Sequence, residues 1–294
     1  MKNLIEYYYN IHISEVRLVD DKYYFMYNES EYIFEKLDNI ENQSKIKLIL
    51  YLNSRYNLFH RIIMNKKHDY TTFDGNDHYV LMQINLKKDR IINLNDIMQC
   101  SLPISEKEDI NKWKKLWEEK IDNFEYYINY IQDKREEDNE FYDYFIGMGE
   151  ASINYLEYLN SKKKNYFDIQ VISHIRITTK YTLYDLYNPL NLTIDHYTRD
   201  IAEYLKSSFF NNHKLNIENI ITSLNLSEYA SILLISRMLF PTFFFDIYEL
   251  DESEKVLRTK KLIARMNEYE EFIYSIILEI KKGTNVPTIR WLRH

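Results

Sequence analysis

Short runs of β-branched and aromatic residues, separated by turn-forming residues, fill the first hundred positions of the chain. The runs "EVRLV", "KYYFMY" and "EYIFEKL" are broken by "DD" and "NES", which predicts a meander of antiparallel strands. Apolar residues from Ile46 to Leu52 then recur near the helical period and predict a helix over 43–56. "LFHRIIM", "YTTF" and "HYVLMQI" follow, the last two joined by a turn built on Asp74 and Gly75. These patterns predict a small strand-rich lobe.

From residue 105 onward the apolar residues change to helical spacing. Ser105 and Glu108 form the pattern of a capping box, and apolar residues recur from Ile110 to Ile131 at steps of three and four. We therefore predict a long amphipathic helix. The charge run "DKREEDNE" is interpreted as a solvated linker before a second helix that begins near Phe141.

A short strand-and-loop insert at about 166–197 interrupts the helices. It contains "VISHIRI", in which His174 and Arg176 stand among β-branched residues and need polar partners if they are buried. Helical spacing then returns in "TRDIAEYLKSSF", "NIENIITSL", "SEYASILLISRMLF", "PTFFFDIYEL" and "ESEKVLRTKKLIARMNEYEEFIYSIILEIKK". The chain is therefore predicted to divide into a strand-rich lobe, residues 1–98, and a helical lobe, residues 99–294, which carries the insert.

Composition narrows the classes of function. The chain has 294 residues, 45% of them hydrophobic, which is ample for a sizeable core. Its net charge is −7 and its basic residues are scattered, so we expect no nucleic-acid partner. Cys100 is the only cysteine, which excludes internal disulfides and cysteine-based zinc sites and is ordinary for a reducing compartment. The first residues lack a signal-peptide pattern and no run of 18 apolar residues occurs, so no membrane span is expected.

One predicted hairpin holds several metal-type donors. His68, Asp69, Asp74, Asp77 and His78 lie within eleven residues of one another in "HDYTTFDGNDH". Hairpin turns favour Asp and Asn for backbone reasons alone, and we prefer this interpretation to a metal site. The sequence has no serine-centred elbow and no HExxH motif.

The segment "IDHYTRDIAEYL", residues 194–205, resembles the stretch that follows the active site in the aminoglycoside-phosphotransferase and choline-kinase-like superfamily. In particular it is similar to the spore-coat branch of that superfamily, the YutH and CotS-like family. Further segments resemble the same family in the same order: "FHRIIMNKKHDYTTFDGNDHYVLMQI", "YFIGMGEASINYL", "SHIRI" and "VPTIRWL". The resemblance covers most of the chain and is weakest in the first fifth. It implies an α+β, two-lobed protein-kinase-like fold with a small strand-rich N-terminal lobe and a larger helical C-terminal lobe.

The most specific part of this resemblance also has a local physical basis. Thr198 is expected to cap a helix, and Asp200 falls in the first turn, where a negative charge favours the helix dipole. The matching aspartate of the superfamily braces the catalytic loop. The resemblance therefore implies that Arg199 and Asp200 hold the fold rather than catalyse.

Phosphoryl transfer in such a fold needs a phosphate-cradling loop, a strand lysine, a carboxylate that orients the attacking hydroxyl, and magnesium ligands. No glycine precedes Gly75, so the N-terminal lobe has no glycine-rich loop. Lys36, in "EYIFEKL", is the candidate strand lysine for nucleotide binding. The competing interpretation is a surface lysine at a strand end.

The loop around His174 departs from the pattern of active relatives. Those relatives carry His-Gly-Asp, with an Asn five residues after the Asp. This chain has His174, Ile175 and Arg176, with Tyr181 at the Asn position. The loss of a positioned base costs about 10² to 10⁴ in rate. A cationic side chain would also repel a divalent ion, so the resemblance implies a degenerate catalytic loop.

Asp195 is the remaining candidate for metal binding, because it follows the strand-like "NLTI". In a second alignment Asp195 lies in the linker before the helix, and Asn188 takes the metal position. The spacing of five residues between Asp195 and Asp200 favours this second alignment, under which no magnesium ligand survives.

His174 and Arg176 are interpreted as loop-bracing groups. A neutral His174 would hold neighbouring backbone, and Arg176 would pair with Asp195 or Asp200, which would satisfy its charge. In the alternative, Arg176 binds a phosphate or carboxylate, which an arginine fork suits.

Three functions follow from these observations. The leading hypothesis is a non-catalytic, degenerate kinase fold that is made in the mother-cell cytoplasm during sporulation and acts in the spore coat by interaction with other coat proteins. It implies no cofactor. The alternative is an active, atypical phosphotransferase that uses ATP and magnesium, with Asp195 on the metal, and acts on a coat protein or a small hydroxyl compound. The third is a phosphate-sensing module centred on Arg176.

Overall fold

The computed structural model describes residues 1–37, 42–86, 89–107, 110–130, 136–162, 169–248 and 252–287. The chain has a mixed α+β structure and divides into two compact units. The strand-rich unit comprises Met1–Cys100 and Lys180–Thr193, and the helical unit comprises Ser101–Thr179 and Ile194–His294.

The strand-rich unit is built on an antiparallel sheet, as its alternating aromatic and β-branched runs predicted. The strands follow the order β1-β2-β3-β6-β4, and β5 pairs with β6 outside this path. Their bounds are β1 (Arg17–Val19), β2 (Lys22–Tyr27), β3 (Ser30–Lys36), β4 (Arg61–Ile63), β5 (Thr72–Phe73) and β6 (His78–Gln83). The helix predicted over 43–56 is α2 (Asn42–Arg55).

Each face of this sheet packs against a different part of the chain, because successive side chains of a strand point to opposite faces. Phe25, Phe34 and Leu81 pack with Ile5 of a first helix, α1 (Lys2–Tyr9), on what we call the outer face. Ile33, Val80 and Met82 pack with Ile49 of α2 and with Leu190 on the opposite, inner face.

Within the first hundred residues, two described helices were not predicted from the sequence. They are α1 and α3 (Leu94–Cys100). The tyrosine run of α1 is as suitable for a strand as for a helix, so its composition did not distinguish the two.

The insert does not belong wholly to the helical lobe, where the sequence pattern placed it. Residues Lys180–Thr193 group with the strand-rich unit. They form a short helix, α6 (Leu183–Leu186), and a 3₁₀ turn, Pro189–Asn191. Thr182 and Asp185 make a reciprocal capping box that begins α6.

The rest of the chain is mostly helical. Its helices are α4 (Ile110–Tyr130), α5 (Glu136–Ser161), α7 (Thr198–Phe210), α8 (Ile217–Leu224), α9 (Glu228–Leu239), α10 (Thr242–Tyr248), α11 (Glu252–Ile263) and α12 (Met266–Lys281). A small three-stranded sheet accompanies them, in the order β7 (Pro103–Lys107), β8 (Ile169–His174) and β9 (Leu192–Asp195).

Several predicted helix boundaries are wrong. Ser105 lies in β7, while Glu108 lies outside the described residues. The helix α5 begins at Glu136, inside the charge run that was interpreted as a linker. The N-cap of α7 is Tyr197, and Thr198 is the first helical residue. In each case the pattern identified the element and misplaced its end, since polar residues suit caps, linkers and helix faces alike.

The core of the helical unit is aromatic. Trp117 of α4 stacks on Phe240 at the end of α9, with ring centroids 4.5 Å apart, and Phe145 of α5 stacks on Phe244 of α10 at 4.0 Å. The stretch Glu228–Tyr248 is long and apolar enough for a membrane span by length and composition alone. Since 78% of its most apolar window is buried in the structure, it has the burial of a core segment.

Candidate functional site

His174 and Asp200 form a fully buried pair in the helical unit. The backbone N–H of His174 donates to Oδ1 of Asp200 at 2.9 Å, and Nδ1 of His174 lies 2.7 Å from Oδ2. Both side chains are 0% exposed. His174 ends β8 and Asp200 stands in the first turn of α7, so this carboxylate joins the strand end to the N-terminus of the helix, where the dipole favours its charge.

Arg199 fixes the backbone of the same loop. Its Nε donates to the carbonyl of His174 at 2.7 Å, and its Nη2 donates to the carbonyl of Ile175 at 3.0 Å. Its Nη1 donates to Oδ2 of Asp195 at 2.9 Å. One guanidinium therefore links the loop after β8 to the end of β9. This geometry suits the fold-holding role that was predicted for Arg199 and Asp200, a role that stays a prediction.

Asp195 is enclosed by hydrogen-bond donors. Its Oδ1 accepts from Nη2 of Arg237 at 2.6 Å and from the backbone N–H of His196 at 2.6 Å, while Arg199 occupies Oδ2. Asp195 is 0% exposed and Arg237 is 5% exposed. Both oxygens of this carboxylate thus neutralise arginine charges, and a buried carboxylate in this state has little capacity for a cation.

An indole ring covers this ion cluster. The guanidinium carbons of Arg199 and Arg237 lie 5.0 and 4.9 Å from the ring centroid of Trp113, which is on α4. Guanidinium groups that lie over an aromatic ring are stabilised by the ring quadrupole. The two positive charges of these arginines balance the two negative charges of Asp195 and Asp200, so the cluster has no excess negative charge that would attract a metal ion.

Arg176 does not pair with Asp195 or Asp200, contrary to the prediction. Its Nη2 donates to Oδ1 of Asp246 at 2.6 Å, and its Nη1 lies 3.6 Å from Oε2 of Glu203. Its side chain is 41% exposed, so its charge is not buried and did not need a buried partner. A phosphate ligand of Arg176 would have to compete with both carboxylates.

A buried lysine lies beside this exposed pair. Nζ of Lys206 donates to the carbonyl of Phe240 at 2.9 Å and to the hydroxyl of Thr242 at 3.3 Å. Burial lowers the pKa of Lys206 to about 8, although the carboxylate of Glu203 acts in the opposite direction. The ammonium bonds the chain just after α9, where backbone carbonyls lack helical partners.

Lys36, the predicted nucleotide-binding lysine, lies on the surface at the end of β3. It pairs with Asp77 at 2.8 Å and is 47% exposed. Lys36 lies opposite Tyr79 in the ladder between β3 and β6, which puts it on the outer face of the sheet, beside α1. The partly buried lysine of the inner face is Lys22 of β2, whose Nζ is 3.1 Å from Asp185.

Tyr181, from the degenerate loop, and Asn188, the metal position of the second alignment, both lie in the strand-rich unit. The carbonyl of Tyr181 accepts from the N–H of Ile92 at 3.0 Å. Nδ2 of Asn188 donates to Oε2 of Glu35 at 2.7 Å, and its Oδ1 accepts from the N–H of Leu190 at 3.0 Å. Asn188 is therefore used to hold its own segment.

Among the described residues, no group of three or more His, Cys, Asp or Glu side chains that could hold a metal occurs. In the hairpin, Oδ1 of Asp74 accepts from the N–H groups of Asn76 and Asp77 at 2.8 Å, and these bonds lower the pKa of Asp74. Oδ1 of Asp69 likewise accepts from the N–H of Thr71. These carboxylates are turn-forming groups.

Sequence reasoning missed the residues that complete these networks. Arg237 could have been recognised, because it is a single arginine within the apolar run "SILLISRMLF", and a buried charge there requires a partner. Thr182 and Asp185 also carried a readable capping pattern. Trp113 and Lys22 gave none, since their places depend on how distant elements pack.

The chain is similar in sequence to known spore coat proteins. A family model described as "Spore coat putative kinase YutH" matches residues 2–276. The endospore coat-associated protein YutH of Bacillus subtilis (strain 168) is 28% identical over 211 residues, and the match spans 62% of this chain and 62% of that relative. The chain thus covers less than two thirds of the relative's length.

Solved structures with the same fold are phosphotransferases. An aminoglycoside phosphotransferase from Alicyclobacillus acidocaldarius subsp. acidocaldarius DSM 446 has a TM-score of 0.64 at 10% identity, covering 94% of this chain and 95% of that one. Choline kinase LicA from Streptococcus pneumoniae has a TM-score of 0.51 at 11% identity, covering 93% and 97%. At such identities the likeness establishes the kinase-like fold, and it says nothing of turnover.

Proposed function

Because the chain belongs to the YutH family of spore coat proteins, we propose that it is a non-catalytic kinase-fold component of the spore coat that acts in coat assembly by binding other coat proteins. Synthesis in the mother-cell cytoplasm followed by deposition in the coat is part of this proposal. The main support for the proposal is that both carboxylate oxygens of Asp195, the remaining candidate ligand for magnesium, already accept hydrogen bonds.

The charge balance around Asp195 supports the absence of turnover. Two guanidinium groups and a backbone N–H already occupy its two oxygens. A magnesium ion would have to displace Arg199 or Arg237 and leave that cation buried without its partner, which costs several kcal/mol.

The loop after β8 also supports the absence of phosphoryl transfer. By the family resemblance, Arg176 stands where active relatives carry the carboxylate that orients the attacking hydroxyl. Its guanidinium is paired with Asp246 and has no proton-accepting capacity. General-base assistance would have to come from elsewhere.

The direct test is a thermal-shift titration of the full chain with ATP, with and without magnesium, followed by incubation with labelled ATP and coat extract. We expect no stabilisation by the nucleotide-metal pair at sub-millimolar concentration and no label transfer. Stabilisation together with transfer would overturn the proposal.

An active phosphotransferase is the second candidate, favoured by the phosphotransferase fold of the neighbouring structures. Under it Asp195 holds the metal, and Asp195→Asn abolishes transfer. A matched control is Asp246→Asn, which makes the same charge change at an exposed pair. Transfer lost in the first variant and kept in the second, with both folded, would establish the enzyme. Equal, low label transfer in both variants would indicate a contaminating kinase and would contradict the enzyme.

A further inference from the structure

Two consecutive lysines lie against two consecutive tyrosines on the surface of the strand-rich unit. Nζ of Lys66 lies 3.2 Å from the ring centroid of Tyr7, and Nζ of Lys67 lies 5.2 Å from the ring centroid of Tyr8. The two rings meet edge to face, with their centroids 5.2 Å apart. Each ammonium is thus stabilised by the quadrupole of a ring. We call these four residues the lysine-tyrosine surface.

Hydrogen bonds fix the loop that carries the two lysines. The N–H of Lys66 donates to the carbonyl of Tyr8 at 2.8 Å, which joins the loop to the last turn of α1. Asn65 is 4% exposed, and its Oδ1 accepts from the N–H groups of Lys67 and Asp69 at 2.8 and 3.2 Å. The lysines are therefore presented on a preformed turn, and a ligand would not have to order this backbone when it binds.

The acidic side chains of the same two segments do not neutralise these lysines. Oε1 of Glu6 accepts from the N–H of Ile13 at 2.8 Å, and Oδ1 of Asp69 accepts from the N–H of Thr71 at 3.1 Å. Within the part of the chain that the structure describes, neither lysine forms an ion pair with a carboxylate. A tyrosine ring stabilises a cation without cancelling its charge, so both positive charges remain.

The lysine-tyrosine surface is open to solvent. Tyr7 is 60% exposed, and Lys66 and Lys67 are exposed as well. In this unit Lys22 and Lys36 have their ammonium groups on carboxylates of the chain itself. The lysine-tyrosine surface instead combines exposed aromatic area with positive charge, and a ligand that carries both acidic and apolar groups would gain from each.

The charge of the whole chain limits which anion fits this surface. The net charge is −7, so an extended polyanion such as a nucleic acid or an anionic membrane is repelled by the rest of the chain. Nucleic-acid binding also depends on many phosphate contacts, of which two lysines supply few. A short acidic segment of a protein needs only two carboxylates opposite the two ammonium groups, and its apolar side chains can lie against Tyr7.

We propose that the lysine-tyrosine surface binds an acidic segment of a partner protein, with two carboxylates of that segment on Lys66 and Lys67 and an apolar side chain on the exposed ring of Tyr7. This inference rests on the proposed function, and it names a surface by which the chain binds other coat proteins. The hydrogen-bonded turn sets the positions of both ammonium groups before the partner arrives, which lowers the entropic cost of binding.

The test measures the binding of a short labelled peptide of alternating glutamate and tyrosine to the full chain at low salt, by fluorescence anisotropy. The variant Lys66→Gln with Lys67→Gln removes both charges. The matched control, Lys260→Gln with Lys261→Gln, makes the same charge change at two consecutive exposed lysines in the last turn of α11. A further variant, Lys66→Arg with Lys67→Arg, keeps the charge of the surface. Thermal melts verify that each variant is folded.

We expect the wild type, the control and the arginine variant to bind the peptide, and the variant with glutamine at 66 and 67 to bind it roughly tenfold more weakly. A peptide with glutamine in place of glutamate is expected to bind the wild type more weakly by a similar factor. The inference fails if the wild type does not bind the acidic peptide, if the control loses as much affinity, or if the glutamine variant keeps its affinity.

A second measurement uses the wild-type chain and needs no variant to fold. Acylation of lysine amines, followed by mass spectrometry, is expected to show that the acidic peptide protects Lys66 and Lys67 and leaves Lys260 and Lys261 reactive. Equal protection of all four would overturn the inference. Stronger protection of Lys66 and Lys67 by anionic vesicles, or by self-association of the chain, would assign the surface to lipid or to a second copy and would also overturn it. The proposed function has a separate failure, which is label transfer from ATP by the unmodified chain.

Discussion

Two clusters of charged side chains, one in each unit, illustrate how burial changes the meaning of an ion pair. The helical unit holds Asp195, Arg199 and Arg237 in a cluster whose carboxylate is 0% exposed and whose cations contact Trp113. The strand-rich unit holds Lys22 between Glu35 and Asp185, all partly exposed.

The difference predicts different behaviour. A buried cluster that loses one member leaves an uncompensated charge away from water, whereas a partly exposed pair that loses one member is compensated by solvent. The first cluster is therefore a fixed brace, and the second is an exchangeable contact.

Asp195→Ala is expected to lower the free energy of unfolding by about 3–5 kcal/mol, since Arg237 and Arg199 lose their shared carboxylate. Urea unfolding measures it. The control is Asp246→Ala, which removes the exposed partner of Arg176 and is expected to cost less than about 1 kcal/mol. Equal effects for the two would show that the buried cluster is no brace.

Acid is expected to destabilise the strand-rich unit through His60. Nε2 of His60 hydrogen-bonds to the carbonyl of Tyr184 on α6, and burial lowers the pKa of His60 to about 4. Its Nδ1 is buried and has no hydrogen-bond partner among the described residues, so a proton there would be unsatisfied. The unfolded chain binds this proton below about pH 6.5 and the folded chain only below about pH 4.

Stability is therefore lost as the pH falls through this window, by about 3 kcal/mol in total. Urea midpoints at pH 7 and pH 4.5 measure the loss. His60→Gln, which removes the titrating group, is expected to flatten this part of the curve. An unchanged slope in that variant would exclude His60 as the cause.

Lys22→Met is expected to cost about 1 kcal/mol, because a partly exposed pair contributes little and Glu35 and Asp185 then face each other without a cation. Thermal melts at low and high salt measure it, and salt is expected to reduce the loss. A loss comparable to that of Asp195→Ala would show that this cluster behaves like the buried one.

Lys36→Met is expected to change the free energy of unfolding by less than about 0.5 kcal/mol, since its pair with Asp77 is largely exposed. It is also expected to leave every titration with nucleotide unchanged. An altered response to ATP in this variant would return Lys36 to the binding surface.

Much of the fold could be predicted from the sequence, because alternation and helical spacing are local signals. The runs that became β2, β3 and β6 and the stretches that became α4, α7 and α9 were recognised from their periods. The ends were less reliable. Ser105 looked like a cap and is in a strand, since the residues of a capping pattern are also compatible with a strand.

The site was only partly predictable, because it depends on which distant residues meet. His174, Arg199 and Asp200 were identified, with the family resemblance as guide, and they lie together. The partner of Arg176 was wrong, since the exposure of Arg176 depends on packing that no local pattern encodes. Lys22 and Lys36 are equally suited to a strand by sequence, and only the register of β2 on β3 places them on opposite faces.

The segment 182–191 also affects the order in which the chain can fold on the ribosome. The sheet and α2 lie within Met1–Cys100 and are synthesised first, yet the inner-face cluster is complete only when Leu190 has emerged. At typical translation rates this leaves the cluster of Ile33 and Val80 without Leu190 for about 5 to 20 s. A truncated chain ending near Cys100 would lack this part of its packing permanently.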